Sequence, residues 1–352
     1  MKKLLIVLAV LVLAAPTMAA EWNFYGQARF GTWSVDEDPD VAGLDSDRDT
    51  VWGQQGNSRV GATVKFNDQI GGRFEYGNNA ADGVTIRQLY GTYNFGAGEL
   101  LIGQTYTPSS SYFYSNSVYA SDGDLLGIGQ FYVGRKDMIQ LSFSNFKLAF
   151  IQPETILYPG YEVDTTFPKV ELSYGYKGEL FFVDVFGGYQ TYDLDSTTVG
   201  IGDEDIDSYV VGVGGGMTFG PVFLNLGFHM GENFGNYNAS DPGGMVTGAA
   251  FDDEARIIGG RVEDQDGMGY LAVLGFKASD MLTFEAGYGR EESEIDAIKY
   301  DAKMTQYYLN ATINLHKNFF VVPEIGMIEY EEDNVAAEPE TFYLGAKWQI
   351  NF

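Results

Sequence analysis

The sequence contains no cysteine, only two histidines, and only 21 lysines and arginines against 49 aspartates and glutamates. The lack of cysteine excludes a small secreted domain held together by disulfides. The shortage of basic residues excludes nucleic acid as a partner, because a phosphate backbone is bound by a basic surface. Two separate histidines without cysteine make no convincing metal cluster.

Long apolar runs are missing as well. Beyond residue 15, no stretch approaches the roughly 20 apolar residues that a transmembrane helix requires. A lipid bilayer can otherwise be crossed only by a closed β-barrel, in which every backbone amide is paired with a neighbouring strand. If this chain spans a membrane, it therefore has to do so as a barrel.

The first residues have the pattern of a secretory signal. Lys2 and Lys3 precede an apolar run at 4–15, and small residues follow up to Ala20. A basic start, a short apolar region and a small-residue cleavage site are typical of a signal peptide. We predict a signal at 1–19, cleaved between 19 and 20 or between 20 and 21, and a barrel over 20–352. Loss of Lys2 and Lys3 leaves a net charge of about −30.

The final eleven residues show the clearest strand pattern in the chain. A period of two places one set of side chains on each face of a strand. The apolar set is Phe342, Leu344, Ala346, Trp348, Ile350 and Phe352, and the intervening set is Tyr343, Gly345, Lys347, Gln349 and Asn351. With 45 Gly, 24 Tyr and 25 Phe in the chain, this pattern is typical of a barrel with many turns and aromatic girdles at both membrane interfaces.

Sixteen segments of this kind can be counted, and an even number is what a single-chain bacterial barrel requires. They are 22–35, 58–66, 72–77, 84–95, 100–106, 136–144, 146–152, 169–176, 180–192, 208–219, 222–230, 268–277, 281–290, 304–315, 319–330 and 342–352. The predicted fold class is therefore all-β, a 16-stranded antiparallel transmembrane β-barrel with short periplasmic turns and long extracellular loops. The alternation is weaker at 87–93 and near Pro323, where we expect a bulge or a protomer contact.

The connection at 107–135 differs from the other long loops. It is rich in aromatic residues and holds only two acids, Asp122 and Asp124. A solvated loop does not usually carry so many rings, so we expect this third loop to fold inward against the barrel wall, the alternative being an ordinary surface loop.

Several segments, taken in order, resemble the general porins of Gram-negative bacteria. They are NFYGQARF, NSRVGATVKF, IRQLYGTYNFG, LLIGQTYTP, RKDMIQLSF and the terminal aromatic strand. The resemblance implies a sixteen-stranded homotrimer whose third loop enters the lumen and sets a constriction, with wall arginines facing loop acids. It also implies that the last strand, with Trp348, Ile350 and Phe352, is the signal read by the barrel-assembly machinery.

Carried over by position, the resemblance assigns the constriction. Its basic wall would be Arg29, Arg59, Arg73, Arg87, Arg135 and Lys136, and its loop acids would be Asp122 and Asp124. A field between these two sets would orient dipolar solutes in the lumen. Alternatively, the arginines are scattered charges balanced by other lumen acids: Glu75, Glu171, Asp184, Glu285 and Glu324.

Most of the acid lies in five predicted outer loops, which hold 31 of the 49 acidic residues. A negative mouth concentrates cations, so the sequence predicts weak cation selectivity. No cofactor is expected, although the same carboxylates could bind Ca²⁺ or Mg²⁺ at the surface together with lipopolysaccharide. Asp45, Asp47 and Asp49 resemble the start of a calcium loop only weakly, because Thr50 replaces the glycine that such a loop needs.

We therefore predict an outer-membrane porin for passive diffusion of ions and small hydrophilic solutes. One alternative is a substrate-selective channel for a dicarboxylate, a phosphate or a sugar. Another is a structural or adhesive barrel with a plugged lumen. We do not expect an enzyme, because His229 is the only candidate base that could face a lumenal acid.

Overall fold

A computed structural model describes residues 20–41, 46–79, 83–119, 125–198, 201–333 and 335–352. The predicted signal peptide at 1–19 lies outside the described residues. The strands are β1 (Glu21–Asp38), β2 (Asp47–Gln54), β3 (Arg59–Lys65), β4 (Ile70–Asn79), β5 (Gly83–Asn94), β6 (Glu99–Tyr106), β7 (Arg135–Phe143), β8 (Phe146–Ile151), β9 (Tyr161–Asp164), β10 (Lys169–Lys177), β11 (Phe181–Ser196), β12 (Glu204–Phe219), β13 (Val222–Glu232), β14 (Arg256–Ile258), β15 (Arg261–Glu263), β16 (Asp266–Lys277), β17 (Leu282–Ile295), β18 (Tyr300–His316), β19 (Phe319–Glu332) and β20 (Glu340–Asn351).

Eighteen of these strands form one closed antiparallel barrel. Two pairs of short strands each occupy a single strand position, so the barrel has sixteen strand positions. Strands β2 and β3 both pair with β1 and together occupy one strand position. In the same way, β9 and β10 both pair with β11. Strands β14 and β15 form a separate hairpin inside a loop. The predicted all-β, sixteen-stranded architecture is confirmed.

The barrel closes between its first and last strands. Strand β20 pairs with β1 from Gln27 opposite Asn351 to Asp38 opposite Glu340. Beyond this register, the N–H of Gly26 donates to the carbonyl of Phe352 at 2.7 Å. Closure removes the unpaired strand edges that lipid would not tolerate.

Alternation along β20 agrees with the predicted faces. Trp348, Ile350 and Phe352 are exposed on the outer surface, whereas Tyr343 and Lys347 are buried on the inner side. The outer row is apolar because it faces lipid, and the inner row is polar because it faces the lumen. Among the residues that the structure describes, no helix is long and apolar enough to cross a bilayer.

Several strands run further than the sequence predicts. Strand β2 occupies a segment assigned to an acidic loop, β17 continues to Ile295, and β18 begins at Tyr300. In these extensions the alternation of apolar and polar residues is weaker, while the backbone pairing between the strands continues. Two short 3-10 helices, η1 (Gly243–Met245) and η2 (Asp296–Ile298), lie in loops between strands.

A bulge lies between β4 and β5 at the start of the segment 87–93, where a bulge or a protomer contact was expected. Glu75 is opposite Gln88 and Tyr76 is opposite Ile86, so Arg87 is the extra residue. A bulge changes the phase of the side chains that follow it. Here it turns both Arg87 and Gln88 to the inner face, where they are buried.

Candidate functional site

The third loop (residues 107–134) folds into the barrel, as predicted. Tyr114, Val118, Leu125 and Ile128 are buried in clusters with side chains of the inner wall. Burial of these side chains stabilises the loop inside the lumen. Asp122 and Asp124, the loop acids assigned to the constriction, lie outside the described residues.

Two wall carboxylates bind the backbone of the middle of this loop. Glu324, on β19, accepts hydrogen bonds from the N–H groups of Val118 at 2.9 Å and Tyr119 at 3.3 Å. Glu285, on β17, accepts one from the N–H of Asn116 at 2.6 Å. Loop N–H groups have no strand partner, so these carboxylates satisfy donors that would otherwise be buried without one.

Two more carboxylates bind the ends of the loop. Glu171, on β10, accepts hydrogen bonds from the N–H of Ser109 at 2.9 Å and from its hydroxyl at 2.7 Å. Glu291, on β17, accepts one from the N–H of Gly129 at 3.1 Å and contacts Nε2 of His229 at 2.9 Å. Of the predicted lumen acids, Glu171, Glu285 and Glu324 therefore anchor the third loop, and sequence reasoning missed Glu291 by placing it in an outer loop.

Glycines in the barrel wall leave space for aromatic rings that pack against it. A Cβ on Gly214 would overlap the ring of Tyr114, and one on Gly212 would overlap Phe186. The glycine cluster at 212–216 therefore allows close packing at this part of the wall.

The remaining space beside the third loop is a cavity of about 520 Å³ with a basic lining. Its charged members are Arg29, Arg59, Arg87, Arg135 and Lys347. Its aromatic members are Tyr106, Phe113, Tyr132 and Phe320, and the rest are Gly56, Asn57, Asn116, Leu126 and Gln349. No aspartate or glutamate lies among these described lining residues.

Glu75 pairs with three of the predicted wall arginines. Its Oε1 accepts a hydrogen bond from Nε of Arg87 at 2.9 Å, and its Oε2 accepts one from Nη2 of Arg73 at 2.8 Å. Nη1 of Arg59 lies 3.8 Å from the same carboxylate, and Tyr25 donates to it at 2.8 Å. One fully buried carboxylate thus orients three guanidinium groups, which keeps their geometry fixed.

The six predicted wall bases separate into two groups. Arg29, Arg59, Arg87 and Arg135 line the cavity together. Arg73 is bound to Glu75 and Tyr25 away from that lining, and Lys136 binds Glu154 at 2.6 Å and Asn238. Lys347 belongs to the cavity but was missed, although its place on the inward phase of the last strand was visible in the sequence.

The sixth loop (residues 233–265) lies over the third loop. The N–H of Ser240 donates to the carbonyl of Tyr132 at 2.7 Å, and Val246 packs in one cluster with Val118 and Ile128. Burial, and to a smaller extent the acids around it, Asp241, Glu254, Asp252 and Glu291, together raise the pKa of Asp253 in this loop to about 8. The third and sixth loops therefore pack against each other.

Other predicted site residues have structural positions. Asp184 is buried on β11. His229 is buried on the inner face of β13, next to Glu291. Asp45 lies outside the described residues, and Asp47 and Asp49 are exposed on strand β2. Within the described ranges, no group of three or more His, Cys, Asp or Glu residues is arranged to hold a metal ion.

Comparison with known proteins gives one family and several similar structures. A family model described as Gram-negative porin matches residues 7–333. The outer membrane channel DcaP of Acinetobacter baumannii has a similar fold, with a TM-score of 0.75, 16% identity, and coverage of 96% of this chain and 98% of that chain.

Two further structures are similar at lower scores. The anion-selective porin from Comamonas acidovorans has a TM-score of 0.65 and 15% identity, and the match covers 95% of this chain and 100% of that one. OmpT of Vibrio cholerae has a TM-score of 0.60 and 18% identity, with 94% and 98% covered. No curated protein matches the sequence.

Proposed function

This chain belongs to the Gram-negative porin family and is an outer-membrane channel, and we propose that ions and small hydrophilic solutes cross it by passive diffusion. The observation that supports this most is the polar, water-accessible cavity of about 520 Å³ between the anchored third loop and the wall of β1, β3 and β5. Such a passage favours hydrated polar solutes, because apolar ones would displace ordered water from charged groups.

Single-channel recording tests this proposal. Refolded protein inserted into a planar bilayer should give stable open conductance. Silence from protein shown to be folded would contradict the diffusion pore and would favour the structural or adhesive alternative, in which the acidic loops bind divalent cations or surface polymers.

Ion selectivity depends on two opposed charge sets. The acidic outer loops attract cations to the mouth, which supports the weak cation preference proposed for small inorganic ions. The basic cavity attracts anions. Charges at an open mouth are screened within about 8 Å at physiological ionic strength, and enclosed charges are screened less. We therefore expect cation preference at low salt that declines as salt rises. A reversal potential of the anion-selective sign at every salt concentration would overturn the cation proposal.

A substrate-selective channel for small anions is the second candidate. Its support is the lining itself, which has five cationic side chains and no carboxylate in the parts of the chain that are described. The similar porin from Comamonas acidovorans is anion-selective. A dicarboxylate or a phosphate ester that blocks the current saturably, while a neutral sugar of similar size does not, would favour this candidate over unselective diffusion.

We propose that the channel is a homotrimer. OmpT of Vibrio cholerae has a structure in trimer form, and its fold is similar to this one. Conductance that opens in steps of three would support the assembly, and single steps from folded protein would oppose it.

We also propose that Arg29, Arg59, Arg87 and Arg135 form the constriction of the channel. Mutation of each of these residues tests its role.

Export and assembly complete the proposal. We infer that residues 1–19 direct secretion and are removed, and that Trp348, Ile350 and Phe352 on the outer face of β20 are read by the barrel-assembly machinery. Surface Ca²⁺ or Mg²⁺ shared between acidic loops and lipopolysaccharide is a further expectation. N-terminal sequencing of the mature protein tests the cleavage site. A C-terminal truncation ending at Gln349 should reduce the amount of assembled barrel in the outer membrane.

A further inference from the structure

Of the two phenylalanine rings that line the basic cavity, that of Phe113 is the more exposed. Phe113, on the third loop, is 43% exposed and lines the cavity, whereas Tyr114, Val118 and Ile128 of the same loop are buried against the wall. An exposed apolar ring in a water-filled passage costs free energy unless something covers it. The anchored loop therefore presents Phe113 to whatever enters the cavity.

Phe113 belongs to an aromatic cluster with a defined geometry. Its ring is edge-to-face with Tyr106 at a centroid distance of 5.7 Å, and it is tilted against Tyr132 at 6.3 Å. Tyr106 and Tyr132 are 6.5 Å apart. Three rings at such distances form a surface on which a further flat ring can stack or pack edge-on.

Two arginines converge on the same cluster. Nη1 of Arg135 donates to the hydroxyl of Tyr106 at 3.2 Å, and Nη2 of Arg87 donates to it at 3.4 Å. The guanidinium carbon of Arg135 lies 5.2 Å from the centre of the Tyr106 ring. Arg59 and Arg29 line the same cavity. Positive groups suited to a carboxylate thus lie beside a face suited to an aromatic ring.

We propose that this cavity is a selectivity site for aromatic carboxylates, an inference that rests on the proposed channel function. The ring of the solute packs on Phe113 and Tyr132, and its carboxylate is held by Arg87 and Arg135. A phosphate or an aliphatic dicarboxylate uses the arginines but leaves Phe113 uncovered. A neutral sugar has neither a negative group for the arginines nor a flat aromatic ring for Phe113. The cavity volume of about 520 Å³ lies within the usual range for small-molecule sites.

Current block with two matched anions tests the site. Benzoate and cyclohexanecarboxylate have the same charge and similar size, and only benzoate has a flat aromatic face. In a planar bilayer with the full barrel, benzoate should reach half-block at a concentration lower by on the order of threefold to tenfold, as expected from an aromatic pair. Equal half-block by the two anions in the unmodified protein would overturn the proposal.

Different variants test the contribution of the Phe113 ring and that of the arginine charges. Phe113→Leu should remove the difference between the two anions while both still block, and Arg135→Gln should weaken block by both. Phe167→Leu is the matched control, because Phe167 is an exposed ring in the connection between β9 and β10 and does not line the cavity. Tyr132→Leu gives an independent reading if Phe113→Leu does not fold. Discrimination that survives in both ring variants would contradict the assignment.

Failure of this inference is distinguishable from failure of the channel function. A conducting barrel that treats benzoate and cyclohexanecarboxylate alike keeps the diffusion pore and removes only the aromatic preference. A folded barrel without conductance removes both.

Discussion

The carboxylate of Glu324 accepts a hydrogen bond from the backbone N–H of Val118 at 2.9 Å, across a separation of 206 positions in the chain. Glu324 lies on the inner wall and Val118 on the third loop, so this contact joins the constricting loop to the barrel. The same carboxylate also accepts hydrogen bonds from the hydroxyl of Ser117 at 3.0 Å and from the side-chain amide of Asn310 at 2.9 Å. One wall residue thereby satisfies several loop donors at once.

Replacement of this anchor should loosen the loop. Glu324→Ala leaves the N–H groups of Val118 and Tyr119 without an acceptor, so docking of the third loop should weaken by about 1–3 kcal/mol. Open-channel noise should rise, and the loop should become cleavable by protease in the folded barrel. Glu331→Ala, on the same strand but with a half-exposed side chain, is the control. Equal noise and protection in both variants would contradict the anchoring role.

The charge on Glu75 should tune ion selectivity. Glu75→Gln keeps an acceptor oxygen for Arg87 but removes the negative charge beside Arg59, Arg73 and Arg87. The lumen becomes more positive, so the reversal potential under a salt gradient should shift toward anions. Asp68→Asn makes the same charge change in an exposed turn and should shift it far less. A shift toward cations in Glu75→Gln, or equal shifts in the two variants, would rule out this role.

A methyl group at position 214 should disturb the third loop. The added Cβ of Gly214→Ala would overlap the ring of Tyr114, and overpacking of this kind costs typically about 1–3 kcal/mol. We expect a lower thermal unfolding temperature and a changed conductance, with partial recovery in the double variant with Tyr114→Leu. Gly53→Ala, where the new methyl meets open space, should leave both measurements unchanged. Additive losses in the double variant would show that the two residues do not interact.

The sixth loop should be less stable in alkaline solution because of Asp253. Burial, with nearby acids, raises the pKa of its carboxyl to about 8 in the folded protein, against about 4 in an unfolded chain. The folded loop therefore favours the protonated form. Its stability is highest below about pH 4 and falls as the pH rises from there to about 8, after which this group contributes no further change.

Asp253→Asn should remove this pH dependence. The amide is neutral at every pH, so the variant loop should be better protected than the unmodified loop at about pH 9 and nearly equal to it at acidic pH. Amide hydrogen exchange of the segment 233–265, corrected for the intrinsic effect of pH, gives the measurement. Asp333→Asn, at an exposed position in another loop, is the control. Unchanged exchange at alkaline pH in Asp253→Asn would show that this carboxyl does not destabilise the loop.

Much of the barrel could be predicted from local pattern. The alternation in β20 identified Trp348 and Ile350 as outward residues, and the weak phase near Arg87 indicated the bulge that turns this side chain inward. Side-chain period is a local property, since successive residues of a strand must face opposite ways. The inward folding of the third loop was also predictable, because its aromatic content does not suit a solvated loop.

It was harder to predict which residues line the basic cavity and which anchor the third loop. Lys347 joins Arg29 in one cavity only because β20 closes against β1, where Lys347 pairs with Gly31 and Gln349 with Arg29. Glu291 was placed in an acidic outer loop because the apolar pattern of β17 ends before it, yet the strand continues and carries it to the N–H of Gly129. Neither fact follows from spacing along the chain.

The class of this protein follows from its residue pattern alone: an acidic, cysteine-free chain of sixteen alternating segments has to close into a barrel, because lipid leaves its backbone no other partners. Which charges act together depends on the folded barrel. It turned Glu171, Glu285, Glu291 and Glu324 into acceptors for the third loop, and it gathered the arginines around Phe113. These arrangements depend on barrel closure and loop docking, which bring together residues as far apart as Ser117 and Glu324, 207 positions along the chain, and no local period encodes such contacts.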